Sequence, residues 1–216
     1  MNEIFIGVFR DGKKLYTVNA ALGRRVYGEK LVKKDVEYRE WAPERSKLGA
    51  AIANRMKIMP IGIQSSVLYL GASTGTTVSH VSDIACNGIV YAVEFAERVF
   101  RPLLDLQKVR KNIAPLLADA RKPETYGWVE ACDVVFADVA QPDETEIAIR
   151  NAKTFLKKGG FIMVSIKSQS IDVTKNPKDV YREQATKLEK AGFTVVETVN
   201  LEPYEDKHAL IVAKYP

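Results

Sequence analysis

Metal-binding side chains are scarce in this chain of 216 residues, which has two cysteines and two histidines. Cys86 and Cys132 lack metal-type spacing, and with only His80 and His208 to join them no metal site is expected. Both cysteines sit among apolar neighbours and read as small buried side chains. No apolar run approaches the ~20 residues of a membrane span. The opening residues, MNEIFIGVFRDG, lack the basic start and long apolar region of a signal peptide. A soluble protein with no membrane partner and a cytoplasmic location is therefore expected. Internal repeats and low-complexity segments are also missing.

What the chain does have is 46% hydrophobic content, enough for a full core. Its net charge of +5 is unevenly spread, because residues 1–60 carry 13 Lys/Arg against 7 Asp/Glu, or +6, and the remainder is close to neutral at −1. An N-terminal basic excess is either solvated surface or a face for a polyanion or an acidic protein. A net charge this small argues against strong binding to free nucleic acid without help.

Two grammars follow one another along the chain. Up to about residue 42, apolar and polar positions alternate around turn signals, with Asp11-Gly12 between IFIGVFR and KKLYTV and Lys34-Asp35 between KLV and VEYREW. This predicts a small antiparallel β region. Leu48, Ala51, Ile52 and Met56 then trace a helix face ending near Pro60. We divide the chain into an N-terminal β region with its connecting helix, 1–60, and a main domain, 61–216.

In the main domain, apolar strands near 67–70, 89–94, 113–118, 133–138, 160–166, 193–201 and 208–214 alternate with helical stretches near 76–86, 96–111, 144–157 and 178–191, and a weaker one around 122–130. Such alternation predicts an α/β, doubly wound, mostly parallel sheet covered on both faces. The last two strands are joined only by residues 202–207, too short for a parallel crossover, so one of them runs antiparallel. Seven strands closing in such a hairpin favour the Rossmann-like fold of S-adenosylmethionine-dependent methyltransferases over a six-stranded dehydrogenase domain.

Ligands of doubly wound sheets bind at the C-terminal strand ends. After the first strand stands a loop of small residues, Gly71-Ala-Ser-Thr-Gly75, opening a helix with Thr76 and Thr77; it is not G-x-G-x-x-G. Glycines admit a ligand close to backbone, and the helix start offers free N–H groups. Glu94, 23 positions after Gly71, stands where an acid accepts from ribose hydroxyls. Phe95 is placed to pack on an adenine face and Asp119 to accept from the adenine amino group. Asp138 with Gln141, Lys167, and His208 mark the later strand ends. His80, inside the first helix of the sheet, reads as structural.

A nicotinamide cofactor would use similar contacts, so catalytic residues must decide. None of the nine tyrosines has Lys four residues on, which excludes short-chain dehydrogenase chemistry. An Asp/Asn-Pro-Pro-aromatic motif for base N-methylation and a Pro-Cys nucleophile are both missing. Lys167, Asp138 and Lys47 remain, a set suited to activating a hydroxyl in an in-line displacement. A lysine of ordinary pKa ~10.4 is neutral in only about one molecule in 2,500 at pH 7. Lys167 thus acts either as a base with a depressed pKa or as a charged stabiliser of developing alkoxide.

RSKLGAAI (45–52), VLYLGASTGTTVSHVSDI (67–84), FADVAQP (136–142), SIKSQSIDVTK (165–175) and NLEPYEDKHALIV (200–212) together resemble the archaeal fibrillarin family of guide-dependent RNA ribose 2′-O-methyltransferases. The resemblance implies S-adenosyl-L-methionine as cofactor and a catalytic set of Lys47, Asp138, Lys167 and His208. Cofactor contacts carry over onto Gly71, Thr76, Thr77, Glu94, Phe95, Asp119, Ala120, Asp138 and Gln141. Related enzymes carry Glu in place of His208, and the loop around Ser73 departs from the family's usual Gly-Ile/Ala-Ala-Ser-Gly. Implied partners are a C/D-box guide RNA with its target RNA, a Nop5-type scaffold protein and an L7Ae-type RNA-binding protein. Two rival readings stay open: a methyltransferase for another hydroxyl acceptor, and a non-catalytic nucleotide-binding scaffold subunit.

Overall fold

In the computed structural model, which describes residues 1–216, Gly7 divides what the sequence pattern suggests is one first strand. With φ at 74° it turns the chain between β1 (Asn2–Phe5) and β2 (Val8–Asp11), because glycine alone takes this conformation without strain. β3 (Lys14–Val18), β4 (Leu31–Lys33) and β5 (Glu37–Trp41) complete an antiparallel sheet in the order β1-β2-β3-β5-β4. A single 3₁₀ turn, Pro43–Arg45, leads into α1 (Lys47–Ala53). Ser46 caps that helix by accepting from the Gly49 N–H at 3.1 Å. α1 ends at Ala53 and not near Pro60, since Arg55 adopts φ of 64°; Met56 is still buried, but beyond the helix.

The main sheet holds β6 (Ser66–Leu70), β7 (Ile89–Glu94), β8 (Ile113–Leu117), β9 (Cys132–Ala137), β10 (Leu156–Lys167), β11 (Thr194–Asn200) and β12 (His208–Lys214), in the order β11-β12-β10-β9-β6-β7-β8. β12 runs antiparallel to both its neighbours and every other pairing is parallel, as the short 202–207 connection requires. α2 (Thr76–Ile84), α3 (Glu97–Val109), α4 (Glu144–Phe155) and α6 (Pro177–Lys190) are the connecting helices, with a single-turn α5 (Ser168–Ile171) after β10. The stretch expected as a weak helix at 122–130 is a 3₁₀ turn, Pro123–Tyr126. No helix is long and apolar enough to cross a membrane.

Two apolar layers cover the two faces of the sheet, with 28 and 26 buried residues. The first joins Val8, Leu15 and Trp41 of the small sheet to Val67, Val78 and Val81, so the two sheets share a core. A buried polar network reinforces that junction. Asp83 of α2 accepts from Arg39 at 2.8 Å, from Thr17 at 2.7 Å and from Arg110, and Arg39 also donates to Glu29 at 2.7 Å. His80 lies parallel to the Trp41 ring at 4.6 Å, with its nitrogens 2.8 Å from Thr17 Oγ1 and from the Tyr27 hydroxyl. Burial and the charges of Arg39 and Arg110 hold its pKa well below 6.5, so it is a neutral structural histidine. Cys132 is buried as expected, but Cys86 is exposed, because α2 ends at Ile84 and the chain turns outward there.

Candidate active site

β6 is flanked by β7 on one side and β9 on the other, so the chain winds outward in both directions and a crevice opens where the winding reverses. The loop from Gly71 to Gly75 lines that crevice. Gly71 and Ala72 donate their N–H groups to the Val93 carbonyl at 2.9 Å, which ties the loop to the end of β7. Gly71 has φ of 81°, and a Cβ there would overlap the Asp138 carbonyl. Gly75, at φ of 90°, caps α2, and a Cβ on it would stand 2.7 Å from Leu106. Ser73 also takes a left-handed conformation, φ of 49°, an unfavourable one for a side-chain-bearing residue.

Two cavities meet across the loop. The larger, about 660 Å³, runs over the ends of β6, β7 and β8 and is lined by Gly71, Glu94, Phe95, Asp119, Ala120, Asp138 and Gln141 among its 14 residues. Half of those residues are hydrophobic, which suits a flat, partly apolar ligand with polar groups at its edges. The smaller, about 450 Å³, is lined by Lys47, Thr76, Thr77, Asp138 and their neighbours, and only two of its ten residues are hydrophobic. Gly71, Ser73 and Asp138 border both. Asp138 therefore stands at the passage from one to the other.

The groups in the larger cavity are held in place by the backbone. Glu94 accepts from the Ser73 N–H through Oε2 and from the Ala96 N–H through Oε1, each at 2.8 Å. A carboxylate has about four acceptor sites, so each oxygen retains a lone pair for a ligand hydroxyl. Asp119 accepts from the Arg121 N–H at 2.9 Å. Arg121 donates in turn to Gln141 Oε1 at 2.8 Å, which leaves the Gln141 amide N–H groups free. Phe95 is 70% exposed at the rim, an apolar face awaiting a partner.

In the smaller cavity, Lys47 Nζ lies 3.2 Å from Asp138 Oδ1. The carboxylate raises the Lys47 pKa against the opposing effect of burial, so Lys47 is an ammonium and not a base. Tyr69, buried and stacked on Phe136 at 4.7 Å, brings its hydroxyl to this cavity; burial, and then Asp138, push its pKa well above 10.0. Glu144, at the first position of α4, is fully buried with neither carboxyl oxygen hydrogen-bonded. Burial, and then the Asp138 charge, raise its pKa well above 4.5.

Lys167 and His208 lie directly opposite each other on β10 and β12. β10 is the neighbour of β9, whose end carries Asp138, so these two residues belong to the same edge of the sheet without lining either cavity. His208 Nδ1 is 2.7 Å from the Asp206 carbonyl. A carbonyl only accepts, so Nδ1 carries a hydrogen and donates it there, which orients the ring and leaves Nε2 without a hydrogen-bond partner. The sequence reading missed Arg45, Tyr69, Arg121 and Glu144. Only Arg45 carried a signal, since it stands two residues before Lys47 at the start of RSKLGAAI.

Comparisons with known proteins point one way. The family model described as Fibrillarin matches residues 1–216. The fibrillarin-like rRNA/tRNA 2′-O-methyltransferase of Methanococcus maripaludis strain C5 is 52% identical over 214 residues, covering 98% of this chain and 93% of its own. Aeropyrum pernix fibrillarin, solved with natively bound S-adenosyl-L-methionine, superposes with a TM-score of 0.86 at 44% identity, over 93% of this chain and 88% of that one. The fibrillarin chain of a fibrillarin/Nop5p complex gives a TM-score of 0.91 at 40% identity, over 99% of each chain.

Proposed function

The chain belongs to the fibrillarin family, and on that premise we propose that it methylates ribose 2′-hydroxyls of rRNA and tRNA as the catalytic subunit of a C/D-box guide ribonucleoprotein. The observation that carries this reading is the Lys47–Asp138 pair at the passage between the two cavities. One cavity has the shape and donor set for a nucleoside; the other is polar and borders the carboxylate.

The residues present fit S-adenosyl-L-methionine, the ligand of the Aeropyrum relative. Glu94 would hold the ribose hydroxyls, Asp119 the adenine amino group, and Phe95 and Ala120 the adenine faces. Gly71, lacking a Cβ, leaves the space beside the Asp138 carbonyl that any side chain would fill. Thr76 and Thr77 offer the N–H groups of the α2 start to the carboxylate end of the ligand. When bound, the cofactor supplies an electrophilic methyl group on a sulfonium.

The protein's own task is to orient the acceptor oxygen and handle its proton. Asp138 accepts a hydrogen bond from the hydroxyl, and Lys47, charged and 3.2 Å away, holds that carboxylate in position. Lys167 approaches from the next strand as the cation that stabilises charge developing on oxygen. His208, opposite it and with Nε2 free, is the group that can take the proton onward. The cofactor contacts of Asp138 itself fit its place on both cavity linings.

The fibrillarin/Nop5p complex supports a Nop5-type scaffold as partner. A C/D-box guide RNA and an L7Ae-type protein complete the proposed particle, because a net charge of +5 cannot select a sequence that pairing between guide and target can. The expected cytoplasmic location belongs to the same proposal. The test is mass spectrometry of a target RNA after incubation with the protein and cofactor. A ribose-methylated nucleoside is expected at the guided position only when guide RNA and partner proteins are present. Efficient site-specific methylation by the protein alone would reject the guided assembly, and a methylated base would reject the ribose acceptor.

A further inference from the structure

The wall of the polar cavity holds a cation that the proposed catalytic set does not use. Arg45 ends the 3₁₀ turn before Lys47 and lines the cavity beside it. Its guanidinium lies over the Tyr27 ring, 5.5 Å from the centroid. The Tyr27 hydroxyl is itself fixed, 3.0 Å from the Glu40 carbonyl and 2.8 Å from His80 Nε2. Between Arg45 and Lys47, Ser46 Oγ accepts from the Gly49 N–H at 3.1 Å and from the Thr77 hydroxyl at 3.0 Å. The segment is thus fastened to the starts of both α1 and α2. Asp138 is the one acid in the cavity lining, and Lys47 already pairs with it. Arg45 takes part in none of the molecule's ion pairs.

An exposed, pre-oriented and uncompensated guanidinium therefore stands beside the carboxylate that would meet the acceptor. A ribose 2′-hydroxyl within RNA brings an anion with it, because the adjacent sugar carbon carries the 3′-phosphate. Setting that hydroxyl against Asp138 sets a phosphate near a carboxylate, and the repulsion has to be offset by a cation in the same wall. Guanidinium suits the task, since its planar fork matches phosphate oxygens in pairs and its stacking on Tyr27 limits the freedom lost on binding.

Resting on the ribose 2′-O-methylation reading above, we propose that Arg45 binds the phosphate 3′ to the nucleotide being methylated and is a positioning residue that seats the acceptor ribose at Asp138. It touches the substrate but takes no part in the proton transfer. The same guanidinium chemistry would also suit the carboxylate of the methyl donor, which shares this part of the site, so the test must separate the two anions.

The assembled particle is prepared with the native protein, Arg45→Ala or Arg45→Lys. Each is given target RNAs carrying either the normal phosphate or an uncharged methylphosphonate at that one linkage. Single-turnover methylation rates and cofactor affinity by calorimetry are the readouts. Arg45→Ala should slow the normal target by about 10- to 100-fold, the size of one charge-assisted hydrogen bond. The methylphosphonate should slow the native protein to a similar extent. Together they should produce no further loss, because both remove one interaction. Arg45→Lys should recover part of the rate, and cofactor affinity should stay within about twofold in all three, which also reports an intact fold.

Equal slowing by Arg45→Ala on both linkages would overturn the assignment. So would a loss of cofactor affinity of tenfold or more with an unchanged rate at saturating cofactor, which would give Arg45 to the donor carboxylate. Native rates for Arg45→Ala on the normal target would reject Arg45 alone, whereas failure of the native protein to methylate any guided ribose would reject the reading beneath it.

Discussion

Gly71→Ala puts a methyl group where the loop packs against the Asp138–Val139 backbone at the end of β9. Two separate penalties follow. With φ of 81°, any residue other than glycine pays for a left-handed backbone, about 1–2 kcal/mol for alanine. The new Cβ would also overlap the Asp138 carbonyl and stand 3.3 Å from Val139 Cα, so backbone at the end of β9 must move, at about 1–3 kcal/mol. Together these come to about 2–5 kcal/mol, and in a domain of this size each kcal/mol lowers the melting temperature by ~2–4 °C. Gly12→Ala is the control, because Gly12 has φ of 59° but nothing within 4 Å of the added Cβ. It incurs only the first penalty. Calorimetric melting of both variants with and without S-adenosyl-L-methionine separates the effects, since a ligand at 100 times its Kd stabilises by ~2.7 kcal/mol. Gly12→Ala should keep the cofactor-dependent rise, and Gly71→Ala should melt lower and lose most of it. Equal melting temperatures and equal cofactor responses would refute the placement of the Gly71–Asp138 contact at the ligand.

Three further outcomes follow from the same geometry. Lys167→Ala should reduce single-turnover methyl transfer in the guide particle by about 10²–10⁴-fold, the range of acid–base and electrostatic assistance, with cofactor affinity nearly unchanged, because Lys167 lies outside the cavity where the adenosine would bind. Asp138→Asn should reduce both, since Asp138 borders both cavities and Lys47 would lose its partner. For pH, two buried groups act in opposite directions, and chemical denaturation between pH 4.5 and 8 should reveal them. His80, with a pKa below its usual 6.5, gives stability that is lost as pH falls below 6.5, and Glu144, with a pKa above its usual 4.5, gives stability that is lost as pH rises above 4.5. Glu144→Gln should therefore stabilise the protein at pH 8, leave it nearly unchanged at pH 4.5, and expose the His80 slope of up to ~1.4 kcal/mol per pH unit below pH 6.5. A flat Glu144→Gln profile between pH 4.5 and 6.5 would contradict the assignment of His80, and equal stability of native protein and variant at pH 8 would contradict that of Glu144.

How far this molecule can be read from its sequence depends on whether the signal is local. The antiparallel end of the main sheet was legible because the seven residues between β11 and β12 cannot span a crossover. The strand-end acids Glu94, Asp119 and Asp138 were legible because each stands where an apolar run stops. The split of the first strand at Gly7 was not, since Ile6 and Val8 continue the apolar pattern across it. Tyr69 was hidden for the opposite reason, because inside VLYLG it reads as one more core aromatic, and only the folded chain sets its hydroxyl beside Asp138 and Thr77 at the cavity. Glu144 looks like an ordinary acid in a first helical turn, where the helix dipole favours it at a surface. Its burial beside Asp138 is set by how α4 packs, which no local pattern encodes.

The proposal stands most directly on the identity of the acceptor. In the reconstituted particle, two target RNAs would be compared that differ only in whether the guided nucleotide carries a 2′-hydroxyl or is 2′-deoxy, with methyl incorporation quantified from labelled S-adenosyl-L-methionine. The arrangement of Lys47, Asp138, Lys167 and His208 predicts stoichiometric labelling of the hydroxyl-bearing target and none of the 2′-deoxy target, with guide pairing and cofactor binding equal for both. Undiminished labelling of the 2′-deoxy target would contradict it.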